Sequence, residues 1–261
     1  MAQELISVYQ VNKGLIRDYA EGEPKAWGKA LIQPGQAKVD IKLERLSEAE
    51  VGLILTKLDM LAINRQNPTI AAILAEEADS VLTAVRMVKT ETKESFAGIL
   101  GGGANLDICW IRAKDVGGEL TDQNGVASKG AYALGAGGAV YSWLKTNFVA
   151  GTNVDMFPSA KLIEEAGIIF LGAIDPIEVP KVEAIQFTIA GILCPPQSLG
   201  FRQNNQEFGA PAKLSVARLE KPVIIGPEKT FTVTVNPSMA GSGKCEPLAL
   251  LITTAEKMSL T

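Results

Sequence analysis

The segment Lys221–Val235 reads KPVIIGPEKTFTVTV. An apolar run, Pro222–Ile225, meets Gly226-Pro227, a turn signal, and then Phe231-Thr232-Val233-Thr234-Val235, where apolar and hydroxyl side chains alternate. Period-two alternation of β-branched and aromatic residues marks a strand with one buried and one wet face. Upstream, Lys29–Leu43 reads KALIQPGQAKVDIKL and follows the same plan: an apolar run, Pro34-Gly35, then Val39-Asp40-Ile41-Lys42-Leu43. In that register only Lys29/Lys221 and Ile32/Ile224 are identical, so the two share a pattern and not a demonstrable duplication. Two such segments in one chain predict a mainly β protein with two similar β-sandwiches.

Working outward from the second copy, strands are predicted at Gly167–Ile174, Ala184–Ile192, Ala212–Glu220, Pro222–Ile225, Thr230–Val235 and Pro247–Ala255. Asp175-Pro176, Val179-Pro180, Pro195-Pro196, Gly226-Pro227 and Asn236-Pro237 punctuate them. Short strands with turn signals between them predict a sandwich of jelly-roll type. Gln197–Pro211 (QSLGFRQNNQEFGAP) reads as a polar loop long enough to reach a neighbour, and FPSAK around Ser159 reads as a turn.

Around the first copy, Leu5–Val11 and Ala30–Gln33 read as strands. The period then changes. Ser47-Glu48-Ala49-Glu50 has the form of a capping box, and Val51, Ile54, Leu55, Leu58, Leu61 and Ala62 follow at helical spacing. Asn67-Pro68 restarts a helix, with Asn as cap and Pro at the first helical position. Its stripe runs through Ile70, Ile73, Leu74, Val81, Leu82, Val85 and Val88, although Ser80–Lys89 is β-branched enough to read as a strand as well. A helical insert over about 47–89 is expected, folded as a hairpin on a sheet. Asn105–Lys114 and Ala139–Phe148 return to strand patterns, separated by the glycine-rich stretches 98–103 and 130–138. Gly151-Thr152-Asn153 is the best candidate boundary, giving an N-terminal sandwich over 1–150 and a jelly-roll-like sandwich over 151–261.

Composition narrows the function classes. The 261-residue chain has no histidine, which removes the commonest general base, the commonest zinc ligand and every Ser-His or Cys-His arrangement. Hydrophobic residues make up 47 % against 6 % aromatics, so the core must be aliphatic. Net charge is −4 with the signs interspersed, and no basic stripe points to nucleic acid as a direct partner. No apolar window is long enough for a spanning helix, and MAQELISVYQV lacks the form of a secretory signal. Cys109, Cys194 and Cys245 are few and far apart, which reads as buried thiols of a chain made in the cytosol.

Each chemical motif has a plainer explanation. Gly241–Cys245 (GSGKC) imitates the end of a P-loop, but Ser238 stands where the first glycine belongs and Cys245 where Ser or Thr is needed. It lies between strands and reads as a hairpin turn. Gly135-Ala136-Gly137 fails the dinucleotide spacing at Val140. Glu164-Glu165 and Asp175/Glu178 read as solvated faces, since no Asp-rich calcium loop surrounds them. Ser159 and Lys161 lack the spacing of a dyad on a helix. Trp27, Trp110 and Trp143 could stack on sugars, yet so wide a spread suits core and interface anchors. No catalytic residue, metal site or cofactor is expected.

On the paired KALIQPGQAKVDIKL and KPVIIGPEKTFTVTV segments, the short strands, and a helix inserted after Leu43, the chain resembles the double jelly-roll major capsid proteins of tailless icosahedral viruses. That resemblance implies a structural, non-enzymatic protein whose partner is itself. It further implies trimeric capsomers that tile a shell with other capsid proteins, within a virion assembled in the host cytoplasm. Phe201, Phe208, Trp27 and Trp143 are the candidate interface anchors. A β-sandwich binding module, for carbohydrate or a receptor as in tail fibres, is the alternative; a non-viral reading would leave the protein cytoplasmic.

Overall fold

The computed structural model describes residues 43–97, 105–111, 120–121, 127–128, 133–135, 144–175, 180–204 and 214–255. The strands expected at Leu5–Val11, Ala30–Gln33 and Lys38–Leu43 lie outside them, apart from Leu43, and so does the first copy of the pattern. The second copy forms a strand, a turn and a strand. Leu214–Ile225 (β12) leads through a turn closed by Lys229 N–H donating to Gly226 O at 3.4 Å, and the chain returns as Thr230–Pro237 (β13). This turn crosses between two sheets, because β12 and β13 belong to different ones.

Three helices open the described chain: α1 (Glu48–Arg65), α2 (Pro68–Glu76) and α3 (Ala78–Thr92). The strands before β12 are β1 (Leu106–Trp110), β2 (Leu120–Thr121), β3 (Ala127–Ser128), β4 (Ala133–Gly135), β5 (Leu144–Phe148), β6 (Val154–Leu162) and β7 (Gly167–Asp175). Then come β8 (Val182–Ile189), β9 (Ile192–Leu193), β10 (Gln197–Ser198) and β11 (Arg202–Asn204). After β13 the chain ends in β14 (Gly241–Lys244) and β15 (Glu246–Thr254).

One sheet has the order β1-β15-β7-β12-β11 and the other β10-β8-β13-β6-β4, with β9 beside β8. β2 pairs with β3, and β14 with β5. The antiparallel partners β1 with β15, β6 with β13, β7 with β12 and β8 with β10 are nested like the rungs of one long hairpin. That hairpin is rolled so that successive rungs alternate between sheets, which is the jelly-roll arrangement. β1 lies before the expected boundary at Gly151 yet pairs along its whole length with β15, so one sheet draws strands from both sides of it.

The two sheets differ in burial, and the sequence shows why. The inner face of the first sheet contributes Ile168, Phe170, Ala217, Val223, Ile225, Ala249 and Leu251 to the sandwich interior. Its other face, with Ile108, Ile169, Leu171, Ile224, Leu248, Leu250 and Ile252, is covered by Val51, Ile54, Leu58, Leu74, Val81 and Val85 of the helices. Buried on both sides, β7 (GIIFLGAID) has no exposed residue and no alternation. In the second sheet β13 alternates buried and half-exposed residues, because only one face is covered. Phe157, Phe170, Phe187 and Phe231 fill the interior; Phe170 meets Phe157 edge-on at 5.4 Å and Phe187 at 5.1 Å. Each such buried side chain contributes about 1.5–3 kcal/mol.

Several local expectations are corrected or resolved. The second expected helix is two helices, because the chain leaves helical geometry at Glu77 (φ −101°, ψ 11°). Ser80–Lys89 is helical throughout. FPSAK is no turn but the middle of β6, where the pairing to β13 shifts register between Phe157 and Ala160; Pro158 sits at that irregularity, where proline is tolerated in a sheet. The loop expected from Gln197 begins with β10 and β11, and the two strands expected over Ala212–Ile225 are one strand with a bulge between Arg218 and Val223. The Gly241–Lys244 part of GSGKC is strand β14 and not a turn.

Candidate functional site

The candidates divide into charged clasps that hold the layers together and surfaces left open to a partner. The clasps come first. Ser47 caps α1 by accepting the Glu50 N–H, while the Glu50 carboxylate accepts the Ser47 N–H at 2.7 Å. The same carboxylate takes Lys89 Nζ of α3 at 2.7 and 2.8 Å and the Phe96 N–H at 3.0 Å. Burial alone would push the Glu50 carboxyl up, but the hydrogen bonds from Lys89, Ser47 and Phe96 outweigh it and hold it below its usual range. One side chain thus joins the start of α1, the end of α3 and the segment entering β1.

A second clasp joins helices to sheet. Arg218 on β12 reaches both Glu76 and Glu77, at the break between α2 and α3. Glu77 is buried and also accepts the Ser80 hydroxyl at 3.1 Å, so the guanidinium compensates a charge with little access to water. The third clasp guards a sheet edge. Leu106 N–H donates to Ser95 O at 2.9 Å, and the next outward N–H of that edge, Ile108, donates to the carboxylate of Asp107 at 2.7 Å. Lys57 of α1 binds the same carboxylate at 2.8 Å. An edge donor already satisfied by a side chain is a poor template for an added strand.

Among the described residues, no group of His, Cys, Asp and Glu side chains is placed to hold a metal ion. Burial, then the carboxylates of Asp175 and Glu246, push the Cys245 thiol far up, and burial also raises Cys194. Both are poor nucleophiles. No helix among the described residues is long and apolar enough to cross a membrane.

The open surfaces are of two kinds. The outer face of the second sheet carries Ala184, Gln186 and Thr188 from β8 opposite Asn236, Thr234 and Thr232 from β13, all half-exposed and none charged. Among the described residues, large apolar side chains are exposed at three separate places. Leu53, Met60 and Ile63 lie on α1, and Ile63 is 56 % exposed. Ile192 and Leu193 form β9, just past the turn after β8, with Leu193 at 63 %. Val149 and Met239 flank the contact where Gly151 N–H donates to Pro237 O at 2.8 Å, beyond the opposite end of β8. The eight residues of β8 set those two ends about 23 Å apart.

Of the interface anchors picked from sequence, Phe201 is half-buried against the sandwich interior. Phe208, Trp27 and Trp143 lie outside the described residues. Trp110 is half-buried, donating its indole N–H to Leu61 O at 3.3 Å with the Arg65 guanidinium 5.1 Å from its ring centre. Sequence reasoning missed the exposed apolar residues of α1. Their signal was a second stripe, Ala49, Gly52, Leu53, Thr56, Met60 and Ile63, on the side opposite the core stripe.

No family model matches this chain, and no curated protein is similar to it. Two solved structures show a weak likeness. A structure of the infectious bursal disease virus Gx strain shares 15 % identity over 57 % of this chain and 39 % of its own, with a TM-score of 0.22. The crystal structure of the infectious bursal disease virus VP2 subviral particle shares 16 % identity over 52 % of this chain and 37 % of its own, also with a TM-score of 0.22. This chain thus spans under two fifths of the length of those viral proteins, at a similarity too low to carry an argument about fold or function.

Proposed function

We propose that this protein is a structural, self-assembling coat subunit of the viral-capsid type, with no enzymatic activity, forming trimeric capsomers that tile a shell. The observation that carries the proposal is the exposure of large apolar side chains at three separated places among the described residues: on α1, at β9, and at Val149 and Met239. A binding module needs one site, whereas a tiling subunit needs a contact surface for each neighbour, and exposed apolar groups mark such surfaces. The helical layer adds to this. It covers one sheet within the chain, so the sandwich meets neighbours through its other sheet, its ends and the outside of α1. In this reading Phe208, Trp27 and Trp143 are further contact residues, Phe201 supports the loop that carries Phe208, and the protein resides in a virion.

Light scattering on the purified chain, with negative-stain microscopy, tests the proposal. A mass of three chains, or closed particles, supports it; a monomer at every concentration up to the millimolar range overturns it. The uncharged hydroxyl and amide face of β8 and β13 favours one second reading, a sugar-binding sandwich, since such groups hydrogen-bond saccharides without charge. Glycan-array binding abolished by Thr232→Val together with Gln186→Leu would transfer weight to it.

A further inference from the structure

We draw no further inference here: the strongest candidate, the apolar tip that Ile192 and Leu193 of β9 expose beside the tight turn at Ala190 and Gly191, is an unpartnered apolar patch, and nothing in the structure shows what covers it.

Discussion

Gln197 binds the main chain of Lys221 at both ends of its amide: Nε2–H donates to Lys221 O at 3.2 Å, and Oε1 accepts the Lys221 N–H at 3.0 Å. β10 belongs to one sheet and the bulge of β12 to the other, so this side chain closes a corner of the sandwich. It supplies hydrogen bonds that the bulged backbone cannot obtain from β7, whose pairing with β12 breaks between Arg218 and Val223. Gln197→Ala is expected to cost about 2 kcal/mol, because two backbone groups lose their partner in a part-buried corner. Gln197→Glu keeps the acceptor, loses the donor and faces Lys221 O with a carboxylate, so it should be no better than alanine. Urea denaturation of the three proteins checks this; equal midpoints would show that water replaces the amide freely.

Arg218 and Glu77 pose a related question across the other face of the same strand. Removing Arg218 leaves the buried Glu77 carboxylate with only the Ser80 hydroxyl among the bonds described above. Arg218→Ala should cost about 2–3 kcal/mol, less than the loss of a fully buried pair because the guanidinium is partly solvated. Adding Glu77→Gln should recover part of that loss, since the stranded charge is gone. A double-mutant cycle measures the coupling, and strictly additive effects would show that the pair does not bind helices to sheet.

Glu50 gives the helical layer an acid limit. Its carboxyl is held below its ordinary 4.5, so the group takes up a proton more readily in the unfolded chain than in the folded one. Its contribution is therefore complete above that value and is lost as pH falls through the folded pKa. Wild type should lose stability more steeply below about pH 4.5 than Glu50→Gln, which is expected to be weaker by about 1–3 kcal/mol at neutral pH. Denaturation curves between pH 3 and 7 test this, and parallel pH profiles would rule the clasp out as an acid-sensitive element.

What could be read in the sequence was what depends on near neighbours. The Ser47–Glu50 capping box and the Asn67-Pro68 restart need only adjacent residues, and both are present with the expected bonds. β13 announced itself by alternation because one of its faces is wet. Glu77 breaks the helix at a position partnered with Arg218, 141 residues away, so no local signal marks it. β10 and β11 span only two and three residues, too few for a pattern. Pro158 disguised β6, since proline argues for a turn unless a bulge receives it. The joining of β1 to β15 is a long-range pairing that periodicity cannot express. The open surfaces were hidden differently: one apolar stripe on α1 explained the helix, so the second drew no notice.

Gly172 carries the tightest demand on the sheet itself. It pairs with Arg218 on one side and Leu248 on the other, and both pairings break register beside it. A Cβ there would stand 2.1 Å from Ala217 O, a main-chain atom that cannot turn aside like a side chain. Gly172→Ala should therefore force β7 and β12 apart and cost about 1–3 kcal/mol, as overpacking of a filled core does. For a chain of this size that is a melting temperature lower by about 2–12 °C. Gly52→Ala is the matching control, because its Cβ meets open space and alanine favours the helix. Thermal melts of both should move in opposite directions; a Gly172→Ala protein as stable as wild type would mean that the bulges absorb the methyl, and the two strands would then be less firmly registered than their pairing indicates.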